Sequence, residues 1–136
     1  MTKPKKEAKR WFDQGTRDAK SAVKVKEEGI YELSCFLAQQ AAEKLLKAFL
    51  YYQGEAPVVG HSTFYLAKEC QEYDDRFKRA LRACKRLDAY YIPTRYPNGL
   101  VEGVPYEVFD AEDAEQGLKD LEEIKSLVKS VLVFDL

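Results

Sequence analysis

Apolar residues recur at steps of three and four along most of this chain, and they do not follow the two-residue rhythm of a half-buried strand. The densest stretch is CFLAQQAAEKLLKAFLYY, Cys35 to Tyr52. It lacks Gly and Pro and is rich in Ala, Leu, Glu, Gln and Lys, so it predicts a long helix. Cys35, Ala38, Ala42, Leu45 and Phe49 fall in one stripe, and Leu37, Ala41, Ala48 and Tyr51 in a second. Two apolar stripes predict a helix touched from more than one side. Gln39, Gln40, Glu43, Lys44 and Lys47 lie among these stripes. Polar groups in so central a helix must be hydrogen-bonded, exposed or used.

The same period organises the rest of the chain. From about Glu7 to Glu28, the residues Ala8, Trp11, Phe12, Gly15, Ala19, Ala22 and Val23 trace one helical face, with Asp18 at its edge beside Trp11. Gly29 breaks this helix, and the short hinge brings the second back antiparallel to the first. After the loop Pro57–Gly60, His61 and Ser62 stand where a cap belongs, and Phe64, Ala67 and Cys70 give a short third helix its inner face. Asp74 or Asp75 caps a fourth, whose stripe Phe77, Ala80, Leu81, Cys84, Leu87, Tyr91 is interrupted by Asp88 and stopped by Pro93. The segment up to Phe109 is aperiodic and long for a loop, a length that often carries function. Asp110 and Asp113 then open a last helix with the stripe Ala114, Leu118, Leu121, Ile124, Val128, Val131. The expectation is one all-α domain over residues 1–136, an antiparallel up-and-down bundle of four long helices plus one short helix.

Composition narrows the function classes. An apolar fraction of 46% argues against disorder, and a net charge of −1 gives no general pull toward nucleic acid or an anionic membrane. No apolar run is long enough to span a bilayer. Cys35, Cys70 and Cys84 lie in helical patterns without metal-ligand spacing, and read as reduced core thiols of a cytoplasmic protein. Neither a metal site nor a cofactor motif is expected; phosphate loops and nucleophile elbows are absent from the sequence.

Candidate chemistry gathers at three places. LDAYYIPTRYPNG, Leu87 to Gly99, surrounds Arg95 with Tyr90, Tyr91 and Tyr96. Arg95 can clamp a phosphate or carboxylate and the rings can stack on bases. Alternatively the rings cover the bundle end and Arg95 pairs with Asp88 or another acid. Glu43 and Lys47 form an i,i+4 pair suited to an exposed face, or to an active role. Asp18 needs a partner, for which Lys44 and Arg95 are available; it is either half of a buried ion pair or a ligand-facing group. Measured from Gly29, Asp18 and Lys44 differ in level by roughly 6 Å, a gap that a lysine bridges. Asp18, Lys44 or Lys47, and Arg95 are therefore expected to converge on a cleft between the first, second and fourth helices. His61 reads as a cap or a surface residue.

The order Trp11, Asp18, CFLAQQAAEKLLKAFL, Gly60-His61-Ser62, LDAYYIPTRYP resembles the HEPN domain (higher eukaryotes and prokaryotes nucleotide-binding), from about Glu7 to Val131. The resemblance implies a bundle of four or five helices, usually a homodimer. It implies a small prokaryotic protein paired with a minimal nucleotidyltransferase, commonly as a toxin–antitoxin module, and binding of nucleotide, RNA or that partner. Many members of the family are metal-independent ribonucleases whose motif is an Arg, four to six residues, then a His. Arg95 matches the arginine, but the residues after it contain no histidine. Fold and partner class carry over; the ribonuclease motif is incomplete. Three functions follow as expectations: a binding subunit of the module, a metal-independent endoribonuclease, or a purely structural helical partner.

Overall fold

The computed structural model describes residues 1–134, which contain helices and turns and no strand. Helix α1 spans Lys3–Glu27 and α2 spans Tyr31–Tyr52. Helix α3 follows at Thr63–Tyr73, and α4 at Leu81–Asp88. A single turn, α5, covers Pro105–Val108, and α6 closes the bundle at Ala111–Val131.

Helix α1 begins earlier than its apolar stripe. Thr2 accepts from the Lys5 amide, and Pro4 lies in the first turn, where its missing N–H costs nothing. Gly29 ends the helix with φ +79°, a conformation that favours glycine, and the chain reverses directly into α2. At Gly15 a Cβ would stand 3.1 Å from Leu45 Cγ and 3.2 Å from Lys44 Cβ. The bare backbone there lets α1 lie close against α2.

Helix α2 is the axis of the molecule. It packs against α1, α6, α3 and α4, as its two stripes required. Leu45, Leu46 and Leu50 are fully buried, and each such side chain contributes about 1.5–3 kcal/mol of transfer free energy. Ala38, Ala41, Ala42 and Ala48 are buried with them, which keeps the neighbouring helices close. On the other helices, Leu66, Phe77, Leu87, Ile124 and Val128 complete the core. Val23, counted in the apolar face of α1, is instead 43% exposed, in keeping with the sparing contact between α1 and α6.

The bundle departs from four equal helices in one place. The fourth is composite: a 3-10 segment, Asp75–Ala80, continues into the eight residues of α4. Asp74 explains the tight start. Its carboxylate accepts from the Arg76 amide and holds the Arg76 guanidinium at 2.7 Å, while Phe77 N closes an i→i+3 bond on Asp74 O. Downstream, the segment expected to be irregular contains a 3-10 turn at Pro97–Gly99 and the single turn α5. Asp110 and Asp113 form a reciprocal capping box at the start of α6. No helix among the described residues is long and apolar enough to cross a membrane.

Candidate functional site

Asp88 organises the approach to the site. Its carboxylate accepts from Ser62 Oγ, Thr63 N and Thr63 Oγ1, each at 2.7 Å, and from Phe64 N at 3.1 Å. An acid from the end of α4 thus satisfies the orphan amides at the start of α3, where the helix dipole favours negative charge. Ser62 adds the local cap by accepting from Tyr65 N. Asp88 is therefore committed to α3 and does not pair with Arg95.

The peptide before that cap is tied to α2. Gln39 Nε2 donates to the His61 carbonyl at 2.7 Å, and Gln40 Nε2 donates to Gln39 Oε1 at 2.9 Å. One turn on, Glu43 lies 3.2 Å from His61 Nδ1 through one oxygen and accepts from Lys47 Nζ at 3.1 Å through the other. Of the two readings open for Glu43 and Lys47, an exposed-face pair or an active role, the exposed face does not hold. They are instead 4% and 5% exposed, because α1 and the loop before α3 close over this side of α2. A pair this dry holds together only because further groups engage it: Gln40 and His61 at Glu43, and the Trp11 ring 5.2 Å from Lys47 Nζ.

Arg95 sits beyond the end of α4. Arg95 Nε donates to the Tyr91 carbonyl at 2.8 Å, which bends the side chain back over its own segment. Its guanidinium carbon lies 4.6 Å from the Phe36 ring centroid, 4.7 Å from that of Tyr91 and 5.1 Å from that of Tyr96. Among the described residues no carboxylate pairs with it. Tyr91 in turn stacks on His61, centroids 5.2 Å apart and planes 18° from parallel. Glu43, His61, Tyr91 and Arg95 therefore form one connected cluster, with Lys47 behind it and Tyr96 at its rim. His61 is its most open polar member, with 62% of its side chain exposed.

Asp18 and Lys44 stand apart from that cluster. They pair across the seam of α1 and α2, with Gln14 Nε2 donating to the other Asp18 oxygen at 2.9 Å. Of the two partners available to Asp18, the structure uses Lys44. A depression of about 540 Å³ lies alongside, lined by Glu7, Arg10, Trp11, Asp13, Gln14 and Lys44. Arg95 does not join it, because its contact on α2 is Phe36, eight residues and about 12 Å along the axis from Lys44. The single cleft expected from the sequence is thus two places, an ion pair on the seam and a cation–aromatic cluster beyond α4.

Nearby thiols and phenols are poor nucleophiles. Burial, reinforced by Asp113 and Asp110, pushes the Cys35 thiol up to about 12, and burial also raises the Tyr90 phenol. Among the described residues no group of three or more His, Cys, Asp or Glu is placed to hold a metal ion. What the cluster offers is a guanidinium with open donors, aromatic faces and an imidazole. Phe36 and His61 are the members that sequence reasoning missed. Phe36 belongs to neither apolar stripe of α2, and a lone histidine before a helix gives no hint of a partner eighteen residues earlier.

The family model for the HEPN domain matches residues 8–131 of the chain. The chain belongs to the HEPN domain family. Solved structures agree. The crystal structure of TT1696 from Thermus thermophilus is 33% identical with a TM-score of 0.88, over 93% of this chain and 98% of that one. ST0689, an archaeal HEPN homologue, is 35% identical with a TM-score of 0.75, over 91% of this chain and 96% of that one. A comparison with curated proteins finds no match. Within this HEPN fold, Arg95 and the chain's one histidine, His61, meet at opposite sides of one cluster through Tyr91.

Proposed function

We propose that this HEPN-domain protein is a binding subunit for a phosphate-bearing ligand, a nucleotide or an RNA end. We propose also that it works as the HEPN half of a cytoplasmic two-component module with a small nucleotidyltransferase. The observation that carries the ligand reading is Arg95, half-buried among three aromatic rings with no carboxylate among the described residues to neutralise it. A guanidinium bound internally through Nε alone keeps its outer fork for a phosphate, and the adjoining rings suit a base. The partner reading rests on family membership.

The test uses a six-nucleotide uridylate with hydroxyl ends. Calorimetry should show binding by the parent protein, and Arg95→Ala should abolish it with little change in melting temperature. Equal binding by parent and variant, or none by the parent, overturns the ligand reading. Co-expression with a small nucleotidyltransferase encoded beside it should give a complex that survives gel filtration; separate elution overturns the partner reading. A second reading, metal-independent RNA cleavage, is favoured by one observation, the contact of His61 with the Arg95 cluster through Tyr91. Shortening of the uridylate in chelator, lost on Arg95→Ala, is its signature.

A further inference from the structure

We propose that the exposed face shared by α3 and α4, centred on Tyr65, Lys68, Arg82 and Lys85, docks a partner protein that presents an acidic helix. None of these residues belongs to the Arg95 cluster, so the two sites are tested separately.

From Arg76 to Arg86 the chain carries six basic residues and no acid, in a molecule whose net charge is −1. The two outermost are neutralised within the chain, Arg76 by Asp74 and Arg86 by Asp120. Arg82 and Lys85 are exposed, lie one turn apart on α4, and pair with no carboxylate among the described residues. The acid one turn beyond Lys85 is Asp88, whose oxygens are taken by Ser62, Thr63 and Phe64. Lys68 joins from α3. Its Nζ lies 5.4 Å from the Phe64 ring centroid, and Lys85 Nζ lies 5.0 Å from the same centroid. Two ammonium groups from two helices thus gather about one partly buried ring, and the ring fixes where they stand. Beside it Tyr65 meets Phe64 edge-on at 5.2 Å and is 66% exposed. An open tyrosine among unneutralised cations has the composition of an interface anchor.

Charge decides the occupant. The basic island is short: Glu55, Glu69 and Glu72 gather toward the C-terminal end of α3, and Asp120 and Glu123 of α6 lie beside Arg86. A nucleic-acid strand carries a charge at every residue and would run from the lysines onto these carboxylates. A protein surface sets its charges singly and can place acids against the cations alone. Arg82 and Lys85 are spaced as neighbours on a helical face, about 5–6 Å apart at Cβ. Acids at the same three- and four-residue spacing on a partner helix match them in register. An apolar position between those acids can then pack on Tyr65.

The probe is a synthetic alanine–glutamine helix of about twenty residues, long enough to fold alone, with glutamates along one face and a leucine among them. A second peptide of the same composition has its glutamates scattered around the helix. Both are titrated into the protein at low ionic strength, with binding followed by amide NMR shifts. The one-faced peptide should bind with shifts at α3 and α4, about tenfold more tightly than the scattered one. Arg82→Glu with Lys85→Glu should weaken it by about tenfold at an unchanged helical circular dichroism, and Arg82→Lys should keep it. No binding of the one-faced peptide overturns the inference, as does equal binding by the double variant or by the two peptides. Tighter binding of an oligodeoxythymidylate on this face overturns it in favour of nucleic acid. A lower solution mass for the double variant than for the parent overturns it in favour of a second copy of the chain.

Discussion

Cys84 is fully buried, and the loss of water pushes its thiol from the ordinary 9 to about 12. Cys35 is moved as far, by burial first and then by Asp113 and Asp110. The sign follows from which state keeps the proton. Below about 9 both states are protonated and the contribution is fully present; above it the unfolded chain ionises while the folded chain does not, so stability falls until about 12. Urea midpoints should therefore drop between pH 8 and 10, by roughly 1 kcal/mol per thiol. The double variant Cys35→Ala, Cys84→Ala should show a shallower decline, and an unchanged slope would count against the account. Residues of this kind are legible in sequence, since a cysteine in an apolar stripe points inward. The Asp18–Lys44 pair was legible in part, because register arithmetic put the two within a lysine's reach, while Arg95 stood as an equal candidate. Glu43 and Lys47 were not, because an i,i+4 pair has the same spacing whether water or another helix covers it.

Between elements, the bond that matters most is the one from Asp88 to α3. Asp88→Ala should cost about 2 kcal/mol, since it leaves buried donors unmet and removes a charge from a helix N-terminus. Hydrogen exchange should quicken at the Thr63 and Phe64 amides before it does elsewhere in α3; protection unchanged at both would refute this role. Gly15 supplies a second test. Gly15→Val must push into Leu45 and Lys44 and should destabilise by about 2 kcal/mol on urea titration, with a wild-type midpoint as the contrary outcome. Helix existence and faces could be read from the three-to-four spacing. The composite fourth helix could not, because local bonds from Asp74 decide between 3-10 and α geometry where the apolar spacing suits both. Asp88 looked like a flaw in a stripe because its partners lie about twenty-five residues earlier in sequence, beyond any periodic signal.

At the scale of the whole molecule, the segment after α4 carries Ile92, Tyr96, Val101, Tyr106 and Val108, all exposed. So many exposed apolar and aromatic groups in one segment suit a contact between copies of the chain, and we propose a homodimer. Light scattering should give about twice the chain mass of 15.7 kDa at micromolar concentration, and Val101→Asp with Tyr106→Glu should return it to the single mass. A parent protein of single mass rules the dimer out. The all-α bundle and its family were readable over nearly the full chain. The site was not, because it is assembled from α2, the loop before α3 and the segment after α4, whose meeting only the folded packing determines. One consequence of the α1–α2 seam is optical. The chain's one tryptophan, Trp11, stacks on Tyr51 at 5.5 Å and lies under Lys47, the residue that holds Glu43. Its emission therefore monitors, without any label, both the opening of the bundle and rearrangements passed inward from the His61 ring.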